Sequence, residues 1–159
     1  MQRLIELKIA RRNEYSMRAQ GAYEVGAHHY PYMIALHVGF LLFLIVEVVV
    51  DQQPLSPFFH ILLLLFLITQ AVRLWCIYSL GSFWNTKILI LPNSTVVRKG
   101  PYRFMRHPNY FIVSLEIILL PLMFQAYFCA FIFSLFNAIL LMIRIPMEEQ
   151  ALREATNYE

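Results

Sequence analysis

Apolar residues in this chain run in long unbroken stretches, not in the alternation of a half-buried strand or the one-sided stripe of a surface helix. Four such stretches, Tyr32 to Val50, Pro57 to Leu80, Tyr110 to Gln125 and Ala126 to Ile143, take up about half of the 159 residues. A helix rising about 1.5 Å per residue needs roughly 20 residues to cross a hydrocarbon core of about 30 Å. The first two stretches are long enough and the last two are short. Asp51 to Ser56, with Pro54, joins the first pair, and the second pair meets near Gln125 to Tyr127 just past Pro121, so each pair predicts an antiparallel helical hairpin. The pattern predicts an all-α fold, a polytopic transmembrane helical bundle of about four spans, with no soluble domain left over. Residues 1–31 form a cytoplasmic or interfacial N-terminal segment, and 32–159 form the membrane domain.

Composition agrees. The chain is 59% hydrophobic and only 14% charged, with a mean hydropathy of +0.56, whereas soluble domains carry about 25% charged residues. The net charge of +3 does not mark a nucleic-acid footprint, because the basic residues lie beside the apolar segments. Arg3, Lys8, Arg11, Arg12 and Arg18 precede the first span; Lys87, Arg98, Lys99, Arg103 and Arg106 lie between the second and third; Arg144 and Arg153 follow the fourth. Only Arg73 falls within a span, about two turns from its inner end. By the positive-inside rule both termini and the 81–110 loop are cytoplasmic. Tyr30, Tyr32, Trp75, Tyr78 and Trp84 gather at the same boundary, as an interfacial aromatic belt does.

The first 31 residues lack an apolar signal core, and Glu6, Glu14 and Glu24 are unlike a transit peptide. Gln2 to Gln20 reads either as a helix at the headgroup level or as an ordinary solvated one. Cys76 and Cys129 fall near opposite faces, which forbids a disulfide between them. The adjacent His28 and His29 make a poor metal-ligand set, so no metal is expected. His37, Glu47 and His60 are expected to face the bundle interior or an interface. Glu116, mid-span, needs a partner such as Arg73, and a structural pair is the expectation.

Two dense polar groups stand at the cytoplasmic ends of the third and fourth spans. Gly100-Pro101-Tyr102-Arg103-Phe104-Met105-Arg106-His107-Pro108-Asn109-Tyr110 combines a turn with a proline suited to the first turn of a helix. The helix start, beside Arg103, Arg106 and His107, makes an anion site for a carboxylate or phosphate. Arg144-Ile145-Pro146-Met147-Glu148-Glu149 follows the fourth span. Arg144 and Glu148 share a face if the helix continues, although Pro146 either kinks it or begins a new helix. The bland reading of both groups is a set of headgroup anchors and a solvated helix start. The alternative is one site holding cations, an imidazole, a tyrosine and two carboxylates.

These residues resemble the isoprenylcysteine carboxyl methyltransferase family of integral-membrane enzymes. Its pattern is a Gly-x-Tyr turn, then Arg-His-Pro-x-Tyr, then, one hairpin later, Arg-x-x-x-Glu-Glu-x-x-Leu; here these are Gly100 to Tyr102, Arg106 to Tyr110 and Arg144 to Leu152. The resemblance covers roughly Leu80 to Leu152, with the catalytic motifs in 81–110 and 144–152. Gln2 to Leu7, Arg11 to Glu14 and His29 to His37 look like a bacterial branch associated with methylating alkylpyrone and alkylresorcinol-type lipids. That branch usually has an apolar helix ahead of the first of these stretches and residues beyond the present C-terminus; in that case the natural protein has one more span and an outside N-terminus.

The resemblance implies S-adenosyl-L-methionine as cofactor. It places cofactor contacts on Ser94, Thr95, Val96, Val97, Tyr102, His107, Pro108, Asn109 and Tyr110, with Lys87 aligning loosely and Glu148 nearby, and puts Arg144 on the acceptor side; Arg144 and Glu148 are the catalytic pair. Ser94 stands where the family usually has His, and Ile112 where a Gly often follows the Tyr. The implied reaction is O-methylation of a lipophilic acceptor, a carboxylate or an acidic enol or phenol such as a prenylcysteine or an alkylpyrone. An anionic acceptor needs no strong base, so Arg144 orients it, Glu148 positions Arg144 or favours the cationic cofactor, and His107 bonds the cofactor. The implied partners are the acceptor lipid and the bilayer, with no nucleic acid and the oligomeric state left open. The implied location is a bacterial cell membrane, with the site on the cytoplasmic side. A phospholipid N-methyltransferase, an NADPH-dependent membrane reductase of related fold and a non-enzymatic membrane scaffold are the other classes.

Overall fold

A computed structural model describes residues 2–156. Five helices dominate it: α1 (Gln2–Ala19), α2 (Tyr30–Val50), α3 (Phe59–Leu80), α4 (Pro108–Met123) and α5 (Tyr127–Ala155). Three segments, Ala27–Val50, Phe59–Phe83 and Tyr127–Ala155, are long and apolar enough to cross a membrane. The fourth, α4, has 16 residues, which at about 1.5 Å each is roughly 24 Å. Leu42, Val49, Leu64, Leu67 and Phe131 are exposed on the outer faces of these helices, where acyl chains rather than water give them a favourable surface. The protein is an all-α integral-membrane bundle.

The short helix is the central one. On α4, Ile112, Val113, Glu116, Ile117, Leu119 and Met123 are buried, because α3 packs on one side of it and α5 on the other, with α2 completing the row against α5. Leu36, Phe40 and Leu44 of α2 meet Val113, Ile117, Cys129 and Phe133 in the main core. The second predicted hairpin, α4 with α5, is therefore packed as expected. The first is not: α2 and α3 are joined by a short connection but scarcely touch, and the space between them opens into a cavity. At the end of the bundle away from the basic residues, the Glu47 carboxylate accepts the backbone N–H groups of Phe128 and Cys129, at 3.2 and 2.7 Å. It thereby caps the start of α5, whose first donors have no partner within the helix. Cys76 and Cys129 are both buried and free.

At the basic end, the structure decides between two readings the sequence left open and departs from a third. First, α5 runs unbroken from Tyr127 through Pro146 to Ala155. Pro146 costs one backbone bond without ending the helix, so no new helix begins there. Second, α1 is neither a headgroup-level nor a solvated helix along its whole length. Asn13 anchors its middle by donating to the carbonyls of Gly81 and Trp84 at 2.9 and 2.8 Å, while its first turns enter the bundle. There the Arg73 Nε sits 3.0 Å from Glu6, Arg73 Nη1 lies 3.0 Å from Glu116, and Arg3 reaches Glu116 at 2.5 Å. Gln70 donates to the other Glu116 oxygen at 2.6 Å. Glu116 lies eight residues beyond Pro108, roughly 12 Å along α4 at about 1.5 Å per residue, so this charge network is well inside the apolar layer. Two cations and two carboxylates offset one another, as burial of charge at that depth requires. The expected Arg73–Glu116 pair is present, joined by two residues of α1.

A small antiparallel ribbon outside the spans ties the N-terminal segment to the long 81–107 connection, pairing β1 (Tyr23–Val25) with β2 (Ile88–Ile90) in the register Tyr23↔Ile90, Glu24↔Leu89, Val25↔Ile88. Trp84, placed in the aromatic belt by its sequence position, is instead 2% exposed and faces inward; Tyr32, Trp75 and Tyr78 do lie exposed at the boundary.

Candidate active site

The connection between α3 and α4, the start of α4 and the end of α5 fold over one cavity of about 930 Å³, within the roughly 300 to 1,000 Å³ typical of small-molecule sites. Gly100 makes this folding possible. Its φ of +55° is left-handed, and a Cβ there would lie 2.9 Å from Trp75 Nε1 and collide with the Ser79 hydroxyl. Only glycine lets the turn approach α3 this closely, and the approach sets Tyr102 beside Cys76, to which it is hydrogen-bonded.

Pro108 then begins α4, supplying a fixed φ where its missing N–H costs nothing. The following turn aims His107, Asn109 and Tyr110 at the cavity, and α5 delivers Arg144 and Glu148 one turn apart on the facing wall. Arg144 is 7% exposed. Its Nε donates to the Tyr110 hydroxyl at 2.9 Å and its Nη2 to the Thr86 carbonyl at 2.7 Å. The same Tyr110 hydroxyl donates to Glu148. Arg144 and Glu148 are thus linked through a phenol rather than by a direct ion pair, and among the described residues Arg144 Nη1 makes no hydrogen bond.

A second chain of contacts lies at the mouth. His107 Nε2 is 3.1 Å from Glu149, which also meets Arg153 at 3.3 Å and Arg106 at 3.8 Å. The His107 ring stacks on Tyr110 at 5.4 Å between centroids. The α4 start, expected to hold an external anion, is met by the chain's own two glutamates through the side chains of His107 and Tyr110. Burial, and then the neighbouring Cys76 and Glu148, hold the Tyr102 phenol well above its ordinary range, so Tyr102 is a neutral hydroxyl and not a base.

Of the residues singled out in the sequence, Lys87, Ser94, Thr95, Val96, Val97, Tyr102, His107, Asn109, Tyr110, Arg144 and Glu148 all line this one cavity. Pro108 is buried behind the wall. Lys87 is engaged elsewhere as well: its Nζ lies 2.8 Å from Glu14 and 3.5 Å from Glu24. Hydrogen bonding to Glu14 raises its pKa. Burial works against the Glu14 carboxylate, but its bonds to Lys87 and Arg18 hold its pKa below the ordinary 4.5.

Sequence reasoning missed several cavity residues. Thr86 contributes a backbone carbonyl, which no residue pattern reveals. Trp84, His37, Gln70 and the Arg3–Glu6 turn come from segments distant in sequence; a Trp beside Asn85 and Thr86 at the end of a span was the available signal. Two buried polar atoms of wall residues, Asn109 Oδ1 and Trp84 Nε1, have no hydrogen-bond partner among the described residues. An acceptor and a donor placed this way fit a ligand that offers both.

Residues 61–154 match the isoprenylcysteine carboxyl methyltransferase (ICMT) family. A Bacillus subtilis (strain 168) protein described as "Uncharacterized protein YpbQ" is 49% identical over 155 residues, covering 97% of this chain and 92% of that protein. A Haemophilus influenzae (strain ATCC 51907 / DSM 11121 / KW20 / Rd) protein, described only as "Uncharacterized protein", is 30% identical over 151 residues, covering 94% of this chain and 88% of its own length. No solved structure matches. The family match spans α3 to α5 and so includes the whole Gly100–Tyr110 and Arg144–Glu149 constellation: this chain belongs to the isoprenylcysteine carboxyl methyltransferase family.

Proposed function

We propose that this protein is an S-adenosylmethionine-dependent O-methyltransferase acting on a lipophilic acceptor at the cytoplasmic side of a bacterial membrane. The observation that carries the reading is the Arg144–Tyr110–Glu148 chain set in the wall of a cavity that is polar at one end and opens between α2 and α3 at the other.

The polar end suits the cofactor. Ser94, Thr95, Val96 and Val97 line the wall there, Tyr102 adds a neutral hydroxyl, and Asn109 Oδ1 and Trp84 Nε1 are an acceptor and a donor unmatched among the described residues. Glu148 supplies a negative charge that favours a cationic ligand. When bound, S-adenosylmethionine supplies an electrophilic methyl group. Arg144, fixed by Tyr110 and Thr86, holds the acceptor oxygen in line through its remaining donors. The apolar end, with Met33, Ile34, Val38, Leu41 and Phe66, takes a hydrocarbon tail directly from the bilayer and keeps water out. The branch resemblance points to a hydroxypyrone or resorcinol lipid as acceptor, with a prenylcysteine as the other class.

Transfer of radiolabelled methyl to a long-chain alkylpyrone and to a prenylcysteine tests the reading. At equal folded concentration, Arg144→Ala is expected to lose about 1.5 to 3 kcal/mol, the scale of a charge-assisted hydrogen bond, or roughly ten- to a hundredfold in kcat/KM, with cofactor affinity unchanged. Arg144→Lys is expected to be impaired too, because one ammonium does not reproduce a planar bidentate contact. Full activity of both variants contradicts the proposed role, and full rescue by Lys alone makes Arg144 a headgroup anchor.

A further inference from the structure

We propose that His37 is the proton acceptor for the acceptor's hydroxyl group, the residue that turns a neutral ring hydroxyl of the enol or phenol class named above into a nucleophile. This rests on the methyltransferase reading and narrows it.

His37 lies on α2, in the wall where the apolar end of the cavity meets its polar end. Its Nδ1 is 2.7 Å from the Met33 carbonyl oxygen. A carbonyl only accepts, so Nδ1 carries the hydrogen, and the neutral ring is left with a lone pair on Nε2. Among the described residues, Nε2 makes no hydrogen bond. The backbone of α2 thus holds the imidazole in one tautomer with its basic atom unpaired, in a cavity otherwise rich in donors.

The charged groups that act on His37 come from three other elements: Arg3 of α1, Glu116 of α4 and Arg144 of α5. Glu116 is bonded to Arg3, Arg73 and Gln70, and Arg3 bonds Glu6 as well, so these polar groups are engaged with one another. Arg144 retains Nη1 for a ligand. A hydroxyl between His37 and Arg144 matches both: its O–H points to Nε2, and its oxygen faces the guanidinium. The O–H bond breaks as the Nε2–H bond forms, the imidazole becomes imidazolium, and the oxygen keeps the electron pair that O-methylation consumes. A carboxylate brings no proton to Nε2 and sets a second lone pair against the first.

The test has two arms. In the first, wild type, His37→Gln and His37→Phe, each saturated with S-adenosylhomocysteine, bind a long-chain 4-alkyl-2-nitrophenol whose anion absorbs visible light. The wild type is expected to ionise the bound probe at least about one pH unit lower than either variant, a tenfold change in its ionisation equilibrium. In the second, methyl transfer to a 5-alkylresorcinol is expected to fall about a hundredfold in both variants, the lower end of general acid–base contributions, while transfer to N-acetyl-S-farnesylcysteine stays low in all three proteins. His37→Gln guards against a folding defect in His37→Phe, and both are compared by their bound probe. Variants that ionise the probe and methylate the resorcinol as the wild type does overturn the proposal, as does a wild type that prefers the carboxylate. A wild type that neither binds S-adenosylhomocysteine nor transfers methyl contradicts the methyltransferase reading instead, and the probe titration, repeated without S-adenosylhomocysteine, still decides whether His37 takes the proton.

Discussion

Tyr110 is the residue on which the site turns, because its hydroxyl accepts a hydrogen bond from Arg144 and donates one to Glu148. Tyr110→Phe keeps the ring and the stack on His107 but leaves both charged groups without that link. A hydrogen bond to a charged group is worth about 1.5 to 3 kcal/mol, so kcat/KM is expected to fall roughly ten- to a hundredfold, with S-adenosylhomocysteine affinity near the wild-type value; steady-state kinetics beside calorimetry separate the two. An unchanged rate removes Tyr110 from the proposed alignment of Arg144. His107 predicts the opposite split. Its partner Glu149 keeps Arg106 and Arg153 when the imidazole is lost, so His107→Ala is expected to weaken cofactor binding about tenfold, one hydrogen bond's worth, with little change in melting temperature.

At the scale of elements, α1 shows what the sequence could and could not disclose. The apolar runs of α2 to α5 were legible, because a continuous hydrophobic stretch has few other uses, and the Gly100–Tyr110 and Arg144–Glu149 motifs were legible because their chemistry is local. The insertion of α1 was not. Glu6 finds Arg73 across 67 positions and Arg3 finds Glu116 across 113, and a helix carrying both signs of charge beside exposed Leu4 and Ile5 reads equally well as a surface helix. Pro146 was ambiguous for another reason, since one lost backbone bond leaves it to packing whether a helix ends or continues.

The buried network makes its own prediction. Glu116→Leu leaves Arg73 without part of its countercharge inside the apolar layer, and breaking a buried pair costs about 3 to 5 kcal/mol. A marked drop in melting temperature in detergent is expected, whereas Arg3→Ala, at a side chain 49% exposed, is expected to cost far less. Equal melting of wild type and Glu116→Leu contradicts a structural role.

The clamp between Lys87 and Glu14 at the other end of α1 predicts a pH dependence. Because the Glu14 pKa is depressed below 4.5, its contribution is present above 4.5 and is lost as pH falls through the lower folded value. Because the Lys87 pKa is raised above 10.5, its contribution is full below 10.5 and is lost only as pH rises through the higher folded value. Hydrogen exchange in β1 and β2 is therefore expected to respond to Glu14→Gln at neutral pH but much less below the folded Glu14 pKa. An equal response at both pH values dissociates the ribbon from the clamp.

For the whole molecule, the cavity places a polar end and a hydrocarbon end within one enclosure, and the proposed function uses this to bring a soluble cofactor and a lipid together without either crossing the other's phase. This requires the basic end to be cytoplasmic. In a chain with Cys76 and Cys129 replaced, an impermeant thiol reagent on intact cells is expected to label a Cys at position 53 and not one at position 98; the reverse pattern contradicts the orientation. Whether the cavity is an S-adenosylmethionine site is decided by calorimetric titration of the detergent-purified protein with S-adenosylhomocysteine and, separately, with NADPH. Saturable 1:1 binding of S-adenosylhomocysteine, weakened in His107→Ala, with no heat from NADPH, is the predicted result; binding of NADPH, or no binding of S-adenosylhomocysteine to folded protein, contradicts it.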